Sequence, residues 1–420
     1  MIFEQLLRKI MYEFYSNRDG YHNITSYRKA FHPFLLKSVD LIRENSLEAL
    51  SKLLIHASQT SAYYRNILPS DNLYPLPTKS ADILKNLPFL TKDIIEKKRC
   101  EMLSNKFDKK DLVMSLTGGS TGTHTSFFRD YDCTANRMGR QLAILELCGY
   151  FLGDRCGLVW GVHEDLHDGE STYNIKGALR KFASGKETLC CSVMTEEQMA
   201  EFHARLVKFR PKVLYGYPNA MSTFAKFITD EKLYPIRVEK ILCTAERLTD
   251  HQRKILTEVF HGEVYNLYCT REHGCIGFEC DKHDGFHLDI GSVFVEIVRD
   301  SVVVDPGTSG EIVITDLLNY GMPFIKNKIG DRGTLSPVPC DCGNPLPLLQ
   351  TLDGRETDML YRPDGSLVSG VMLVDMMPDE PAIKAMQFIQ DSVDEINLNL
   401  VIDSRSEEHT SELQSRFGIS

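Results

Sequence analysis

The sequence predicts an α/β protein with a large N-terminal domain of several subdomains and a small, truncated α+β C-terminal domain. Three observations indicate this. Residues 3–68 have the apolar spacing of helices. Over residues 153–272, short apolar runs alternate with helical patterns, which is typical of a largely parallel sheet covered by helices. Residues 286–335 change to the pattern of antiparallel hairpins. We therefore expect mixed sheets covered by helices, together with a β-hairpin subdomain.

Composition narrows the class of protein. The chain has 420 residues, 42% of them hydrophobic and 25% charged, and a net charge of -10, which argues against a nucleic-acid-binding protein or a protein of anionic membrane surfaces. Because no stretch holds eighteen uncharged apolar residues and the N-terminus lacks a secretory pattern, we expect a cytoplasmic protein without membrane partners. Its twelve cysteines should then be mostly reduced. Whether the chain forms a homodimer stays open.

The N-terminal segment predicts a helical cover. Leu47, Leu50 and Leu54 recur at helical spacing within a longer amphipathic stretch. After the proline-containing break at residues 87–90, Thr91 is the residue type that caps a helix start.

A run of glycine and hydroxyl residues follows, between apolar residues 112–114 and 127–128. Glycines let successive backbone N–H groups turn toward one point, so the run predicts a phosphate-binding loop, although an ordinary solvated turn has the same composition. No lysine follows the last glycine, as a Walker loop requires, and the glycine spacing is not that of a dinucleotide fold. The loop residues are Thr117, Gly118, Gly119, Ser120, Thr121 and Gly122.

Three predicted strands, at residues 212–215, 240–243 and 264–268, are each followed at once by polar or turn-forming residues. Parallel sheets bind ligands beyond the carboxyl ends of their strands, so these groups predict a shared site. The groups are residues 216–218, 244–246 and 269–272.

Further along, residues 293–298 and 311–314 predict a hairpin, and apolar alternation over residues 396–402 predicts a half-buried strand. We expect a large domain at 1–353 and the start of a small domain at 354–404. Residues 405–420 match the peptide that a common sequencing-adapter DNA would encode, so we expect a non-native tail there and exclude it from fold reasoning; a native disordered tail is the alternative.

Five stretches in this order resemble the acyl-adenylate-forming ligase superfamily, and within it the phenylacetate-CoA ligase family with its capsule-biosynthesis relatives. The resemblance extends to about residue 403. The stretches are Thr117–Gly122, Gly216–Pro218, Tyr268–Glu272 with Phe278–Cys280, Ile329–Asp331 and Gly354–Leu360.

The resemblance implies an enzyme that joins a carboxylate to the α-phosphate of ATP, releases pyrophosphate and passes the acyl group to coenzyme A. It implies that Thr117–Gly122 grips the β- and γ-phosphates and that Glu272 helps to hold Mg²⁺. Asp331 would accept the ribose hydroxyls, and Arg355 would lie in the link about which the small domain rotates. The adenine would be bordered by Ala245, Glu246 and Tyr268, the last available for stacking. Taken singly, each of these side chains could equally be a surface carboxylate, a turn residue or a packed tyrosine.

Two alternatives stay open: transfer of the acyl group to a carrier or a polysaccharide precursor, and a nucleotide-binding homologue without catalysis. The family's C-terminal lysine, which completes the adenylation site, has no counterpart here. We therefore expect this chain to adenylate poorly even where it binds ATP.

Cysteines and a histidine on either side of the hairpin region predict a structural zinc site, since three thiolates and an imidazole suit tetrahedral Zn²⁺. The ligands would be Cys280, His287, Cys340 and Cys342. His283 could replace His287, and four separately packed, reduced residues are the alternative. For the acyl group, Trp160, Tyr215 and Tyr217 either line a pocket or pack in the core, and the sequence does not name the acid.

Overall fold

The computed structural model divides into two compact units. The first comprises Met1–Ile329 and Gly333–Leu352, and the second comprises Gly330–Arg332 and the residues from Asp353 on. Among the residues that the structure describes, no helix combines the length and apolar composition needed to cross a bilayer. The described residues are 2–68, 77–116, 125–161, 175–192, 194–355, 359–361, 367–369, 383–393 and 395–402.

Helices dominate the N-terminal part and then alternate with strands, as expected from the sequence. The helices of the described ranges are α1 (Ile2–Arg18), α2 (Ile24–Leu35), α3 (Val39–Thr60), α4 (Ala62–Ile67), α5 (Pro77–Lys85), α6 (Lys92–Met102), α7 (Tyr131–Leu147), α8 (Ile175–Ser184), α9 (Glu196–Phe209), α10 (Pro218–Asp230) and α11 (Asp250–Phe260).

The strands in the same ranges are β1 (Leu112–Leu116), β2 (Ser126–Asp130), β3 (Cys156–Trp160), β4 (Lys186–Cys190), β5 (Val213–Gly216), β6 (Lys240–Thr244), β7 (Glu263–Thr270), β8 (Gly274–Phe278), β9 (Phe286–Leu288), β10 (Val293–Arg299), β11 (Val302–Val303), β12 (Ser309–Asp316), β13 (Asn327–Leu335), β14 (Leu348–Arg355), β15 (Met359–Tyr361), β16 (Leu367–Ser369), β17 (Ile383–Ser392) and β18 (Glu395–Ile402).

A twelve-stranded sheet organises the first unit, in the order β11-β10-β12-β13-β14-β9-β8-β7-β6-β5-β3-β4. Strands β4, β3, β5, β6 and β7 run parallel, and β8 then pairs antiparallel with β7. The predicted parallel sheet is thus confirmed, with the three predicted strands as β5, β6 and β7. The predicted hairpin is also confirmed, since β10 pairs antiparallel with β12.

Local signals explain where the helices begin. Thr91 caps α6 as predicted, its hydroxyl accepting the N–H of Ile94 at 3.4 Å. On the parallel part of the sheet, Thr195 and Thr249 each form a capping box at the start of α9 and α11. Each cap fixes the residue at which the connecting loop ends and the helix begins. The residues directly after the strands are therefore not needed to cap these helices.

Separate apolar cores pack against the sheet. One includes the rings of Phe202, Phe224 and Phe260, which come from α9, α10 and α11. Another contains Phe31 and Ile144 of α2 and α7 together with residues of β5 to β10. The parallel strands are therefore covered on both faces, which accounts for their almost unbroken apolar sequence.

In the second unit, β17 and β18 form an antiparallel pair that runs from Ile383↔Ile402 to Ser392↔Glu395. Within β18, Leu398 and Leu400 are half-buried, while Asn397 and Asn399 are exposed. The predicted strand is thus present and Leu398 and Leu400 lie on its more buried face, whereas Ile396 of the same alternation is exposed.

Candidate nucleotide and metal sites

The predicted phosphate loop connects two paired strands. Leu116 at the end of β1 lies opposite Ser126 at the start of β2 in an antiparallel pair. The two strands on either side of the loop are therefore paired with each other. The loop residues Thr117, Gly118, Gly119, Ser120, Thr121 and Gly122 themselves lie outside the described residues.

The groups that follow β5 and β6 lie side by side. The backbone N–H of Asn219, in the first turn of α10, donates to the Glu246 carboxylate at 3.1 Å. The Gln252 side chain of α11 in turn donates to the Asn219 amide oxygen at 2.6 Å. This connection brings the loop after β5 against the loop after β6, as the strand order requires.

Ala245 has a backbone conformation that the sequence did not reveal. Its φ of +67° lies in the left-handed region, which side chains other than glycine adopt at a cost. Ala245 and Glu246 are both exposed, directly beyond the buried end of β6. An exposed, strained residue at the carboxyl end of a central strand is a common feature of binding sites.

Tyr268 is packed more tightly than a freely available stacking ring. Only 6% of the residue is exposed, and its ring centroid lies 6.0 Å from that of Phe286. An adenine could contact only the small part of this residue that is exposed. Its role as an adenine-binding residue stays a prediction.

Glu272 lies in the turn that joins β7 to β8. Thr270 pairs with Gly274 across the turn, and the Thr270 hydroxyl accepts the His273 N–H at 3.1 Å. Glu272 is half-buried, and β7 is the strand next to β6. The carboxylate is therefore at the same edge of the sheet as Ala245 and Glu246.

Asp331 and Arg355 both belong to the second unit. The Arg355 guanidinium Nε lies 3.7 Å from the Asp331 carboxylate. Asp331 lies in β13, and Arg355 is the last residue of β14. The two predicted residues thus form an ion pair, next to glycines 330 and 354, both of which have positive φ.

The four predicted zinc ligands come together. One ligand atom from each of Cys280, His287, Cys340 and Cys342 lies within 4.8 Å of the others. The Cys280 and Cys340 sulfurs are 3.7 Å apart, and His287 Nε2 is 3.2 Å from the Cys342 sulfur. Three sulfurs and one imidazole nitrogen at these separations match the donor set of a structural zinc site.

The surroundings of the histidine support the same assignment. His287 is fully buried, and its Nδ1 lies 3.4 Å from the Leu346 carbonyl oxygen. A proton on Nδ1 donated to that carbonyl leaves Nε2 free to bind a cation, the usual arrangement of a zinc-bound histidine. His283, the alternative ligand, instead lies 3.1 Å from the Glu279 carboxylate.

The aromatic residues considered for the acyl group form one cluster. The Trp160 ring lies 4.9 Å from the Tyr217 ring and 5.4 Å from that of Tyr215. Tyr215 is buried, which fits core packing, whereas Trp160 and Tyr217 are half-buried at the ends of β3 and β5.

Sequence reasoning missed four residues around the Glu272 turn: Arg137, His273, Asp316 and Asn327. All four are buried. For Arg137, the sequence did contain a signal of buried charge. Arg137 and Arg140 lie three residues apart in the otherwise amphipathic α7. Charged side chains of this kind are seldom buried without a specific partner.

The chain is similar to known proteins in sequence and in fold. Residues 360–420 match the model of the CapK C-terminal domain. Over 381 residues, 86% of this chain and 80% of the relative, the sequence is 25% identical to the protein CapK of Staphylococcus aureus. It is 22% identical over 372 residues to the phenylacetate-coenzyme A ligase of Pseudomonas putida, again covering 86% and 80%.

Among solved structures, 2-hydroxyisobutyryl-CoA ligase in its postadenylation state has a TM-score of 0.71 at 16% identity, covering 90% of this chain and 82% of that one. The fold is therefore that of the adenylate-forming ligases. Within that class, the sequence is similar to a capsule-biosynthesis protein and a phenylacetate-CoA ligase.

Proposed function

We propose that this adenylate-forming ligase activates a carboxylic acid with ATP, releasing pyrophosphate, and transfers the acyl group from the adenylate to coenzyme A. The observation that supports the proposal is that Ala245 and Glu246 follow β6 and Glu272 follows β7, which places all three at the same edge of the sheet. Parallel sheets bind ligands at that edge. The relative from Pseudomonas putida, a phenylacetate-coenzyme A ligase, supports the choice of acceptor.

In this proposal, Glu272 is the residue that helps to hold Mg²⁺. The fit is chemical: Mg²⁺ prefers carboxylate oxygens, and Glu272 presents one from a half-buried turn. A bound Mg²⁺ would offset the negative charge of the phosphates that a carboxylate must approach. We assign the phosphate loop to Thr117–Gly122, ribose binding to Asp331 and the link between the domains to Arg355, as the family resemblance implies.

We further infer that Cys280, His287, Cys340 and Cys342 hold a structural zinc ion. The cluster joins the segment around β9 to the loop before β14, two regions that are distant in sequence. Its role would be to fix that loop rather than to take part in adenylation, since a site with four protein ligands leaves no position for substrate.

A second acceptor class has specific support. The chain resembles CapK over most of its length, and it is also 22% identical over 267 residues to the indoleacetate–lysine synthetase of Pseudomonas savastanoi. Transfer of the acyl group to a carrier, a polysaccharide precursor or an amine is therefore the alternative to thioester formation.

Pyrophosphate exchange separates these possibilities. The chain is incubated with ATP, Mg²⁺, labelled pyrophosphate and one acid at a time from a panel of aryl and alkyl acids, and thioester is then measured after coenzyme A is added. Acid-dependent exchange followed by thioester supports the proposal. Exchange without thioester indicates the alternative acceptor, and tight ATP binding without exchange indicates a nucleotide-binding homologue without catalysis.

A further inference from the structure

Glu272 lies in a short turn at the end of a hairpin. The bonds within this turn include the Thr270–Gly274 strand pairing and the 3.1 Å bond from the His273 N–H to the Thr270 hydroxyl. Gly274 completes the turn with a φ of +74°. A carboxylate that must meet a metal ion within a few tenths of an ångström needs firmer support than the end of a hairpin provides.

Arg137 of α7 supplies one such support. Its Nη1 donates to the Glu272 backbone carbonyl at 2.5 Å, and its Nη2 donates to the Asp316 carboxylate. Asp316 ends β12 and also accepts the Leu318 N–H at 3.1 Å. The planar guanidinium thus connects the turn to the end of another strand, a connection that a single ammonium group could not reproduce.

The neighbouring residue has a second support. The His273 ring is almost completely buried, and the Asn327 amide, at the start of β13, donates to its Nε2 at 3.0 Å. Its Nδ1 is 3.9 Å from the Asp316 carboxylate. Residues 272 and 273 are therefore held directly from α7 and β13, and from β12 through Arg137.

Stability alone is a poor explanation for this arrangement. Burying an arginine–aspartate pair costs desolvation energy that the attraction between the charges often only offsets, so such a pair contributes little net stability. The same helix offers a comparison, since Arg140 binds Asp289 with both Nε and Nη2. That second pair has the same chemistry and a similarly buried aspartate, but its described hydrogen bonds do not reach the Glu272 turn.

We propose that Arg137 is a positioning residue for Glu272: by holding the Glu272 carbonyl against Asp316, it sets where the Glu272 carboxylate meets Mg²⁺·ATP. The inference rests on the proposed function. It does not require Arg137 to touch the substrate, and it assigns no such role to Arg140.

The test compares Arg137→Lys with Arg140→Lys. ATP binding is measured by calorimetry over a series of Mg²⁺ concentrations, together with the melting temperature of each variant. Because supporting residues of metal sites typically change metal affinity 10- to 100-fold, we expect Arg137→Lys to raise the half-saturating Mg²⁺ concentration by about 10-fold or more. ATP binding without Mg²⁺ should stay within about twofold of the wild-type value.

Arg140→Lys should lower the melting temperature to a similar degree but leave the Mg²⁺ dependence at its wild-type value. Asp316→Asn weakens the contact between Arg137 and residue 316. It should therefore also raise the half-saturating Mg²⁺ concentration. It also replaces Arg137→Lys in the comparison if that variant does not fold. Equal Mg²⁺ dependence in the Arg137 and Arg140 variants would overturn the inference alone, whereas a wild-type chain that binds no ATP would overturn the proposed function with it.

Discussion

Removing one ligand of the cysteine–histidine cluster should destabilise the protein by an amount that the structure sets. Cys280 and Cys340 are 60 residues apart in the chain, so a zinc ion between them closes a loop of that length. Treated as a cross-link of the unfolded chain, such a loop is worth about 4 kcal/mol of stability. For a large domain this corresponds to a fall of about 4 to 8 °C in melting temperature.

Cys340→Ser is the substitution to make, and Cys148→Ser is its matched control. Both cysteines are buried, but Cys148 lies outside the cluster. Melting temperature is measured with and without a strong chelator, and zinc content by elemental analysis of protein purified without chelator. We expect one zinc ion per chain, a chelator-sensitive melting temperature in the wild type and the Cys148 variant, and none of this sensitivity in Cys340→Ser. A wild-type protein that contains no zinc and ignores the chelator would refute the reasoning.

Three further predictions concern stability. Gly216→Ala places a Cβ 2.2 Å from the Val159 carbonyl oxygen, so β5 must move from β3, and we expect urea unfolding to show a loss of about 1 to 3 kcal/mol; an unchanged midpoint would contradict this close packing. Asp130→Ala removes the carboxylate that accepts the N–H groups of Cys133, Tyr320 and Gly321, and should cost about 2 to 4 kcal/mol by the same measurement. Burial lowers the pKa of His56, so the unfolded chain binds a proton below about pH 6.5 that the folded chain does not, and stability should fall as the pH drops from 7. Because this ring is partly exposed, we expect the free energy of unfolding to change by well under ~1.4 kcal/mol per pH unit. A His56→Gln variant whose stability has the same pH dependence as that of the wild type would contradict this prediction.

Much of the fold followed from the sequence because its signals are local and repeated. The apolar runs of β5, β6 and β7, each ended by turn residues, predicted both the strands and the edge at which Glu246 and Glu272 lie. The cluster of Cys280, His287, Cys340 and Cys342 could be proposed because few residue types bind zinc.

What the sequence could not provide depends on the packing of distant segments. Arg137 contacts Glu272 across 135 residues and Asp316 across 179, and no spacing rule connects such positions. The left-handed Ala245 was hidden because alanine is not a residue type that signals positive φ. The burial of Tyr268 against Phe286 likewise arises from the pairing of β7, β8 and β9, which only the assembled sheet defines.

The central claim is that the chain cleaves ATP between its α- and β-phosphates in order to activate a carboxylate. The nucleotide products formed with Mg²⁺·ATP and each acid of the panel test it most directly, because the identity of the product does not depend on how fast the chain works. We predict that AMP and pyrophosphate form only with a suitable acid, and that Glu272→Gln reduces the amount formed. Acid-dependent formation of ADP and phosphate would contradict it.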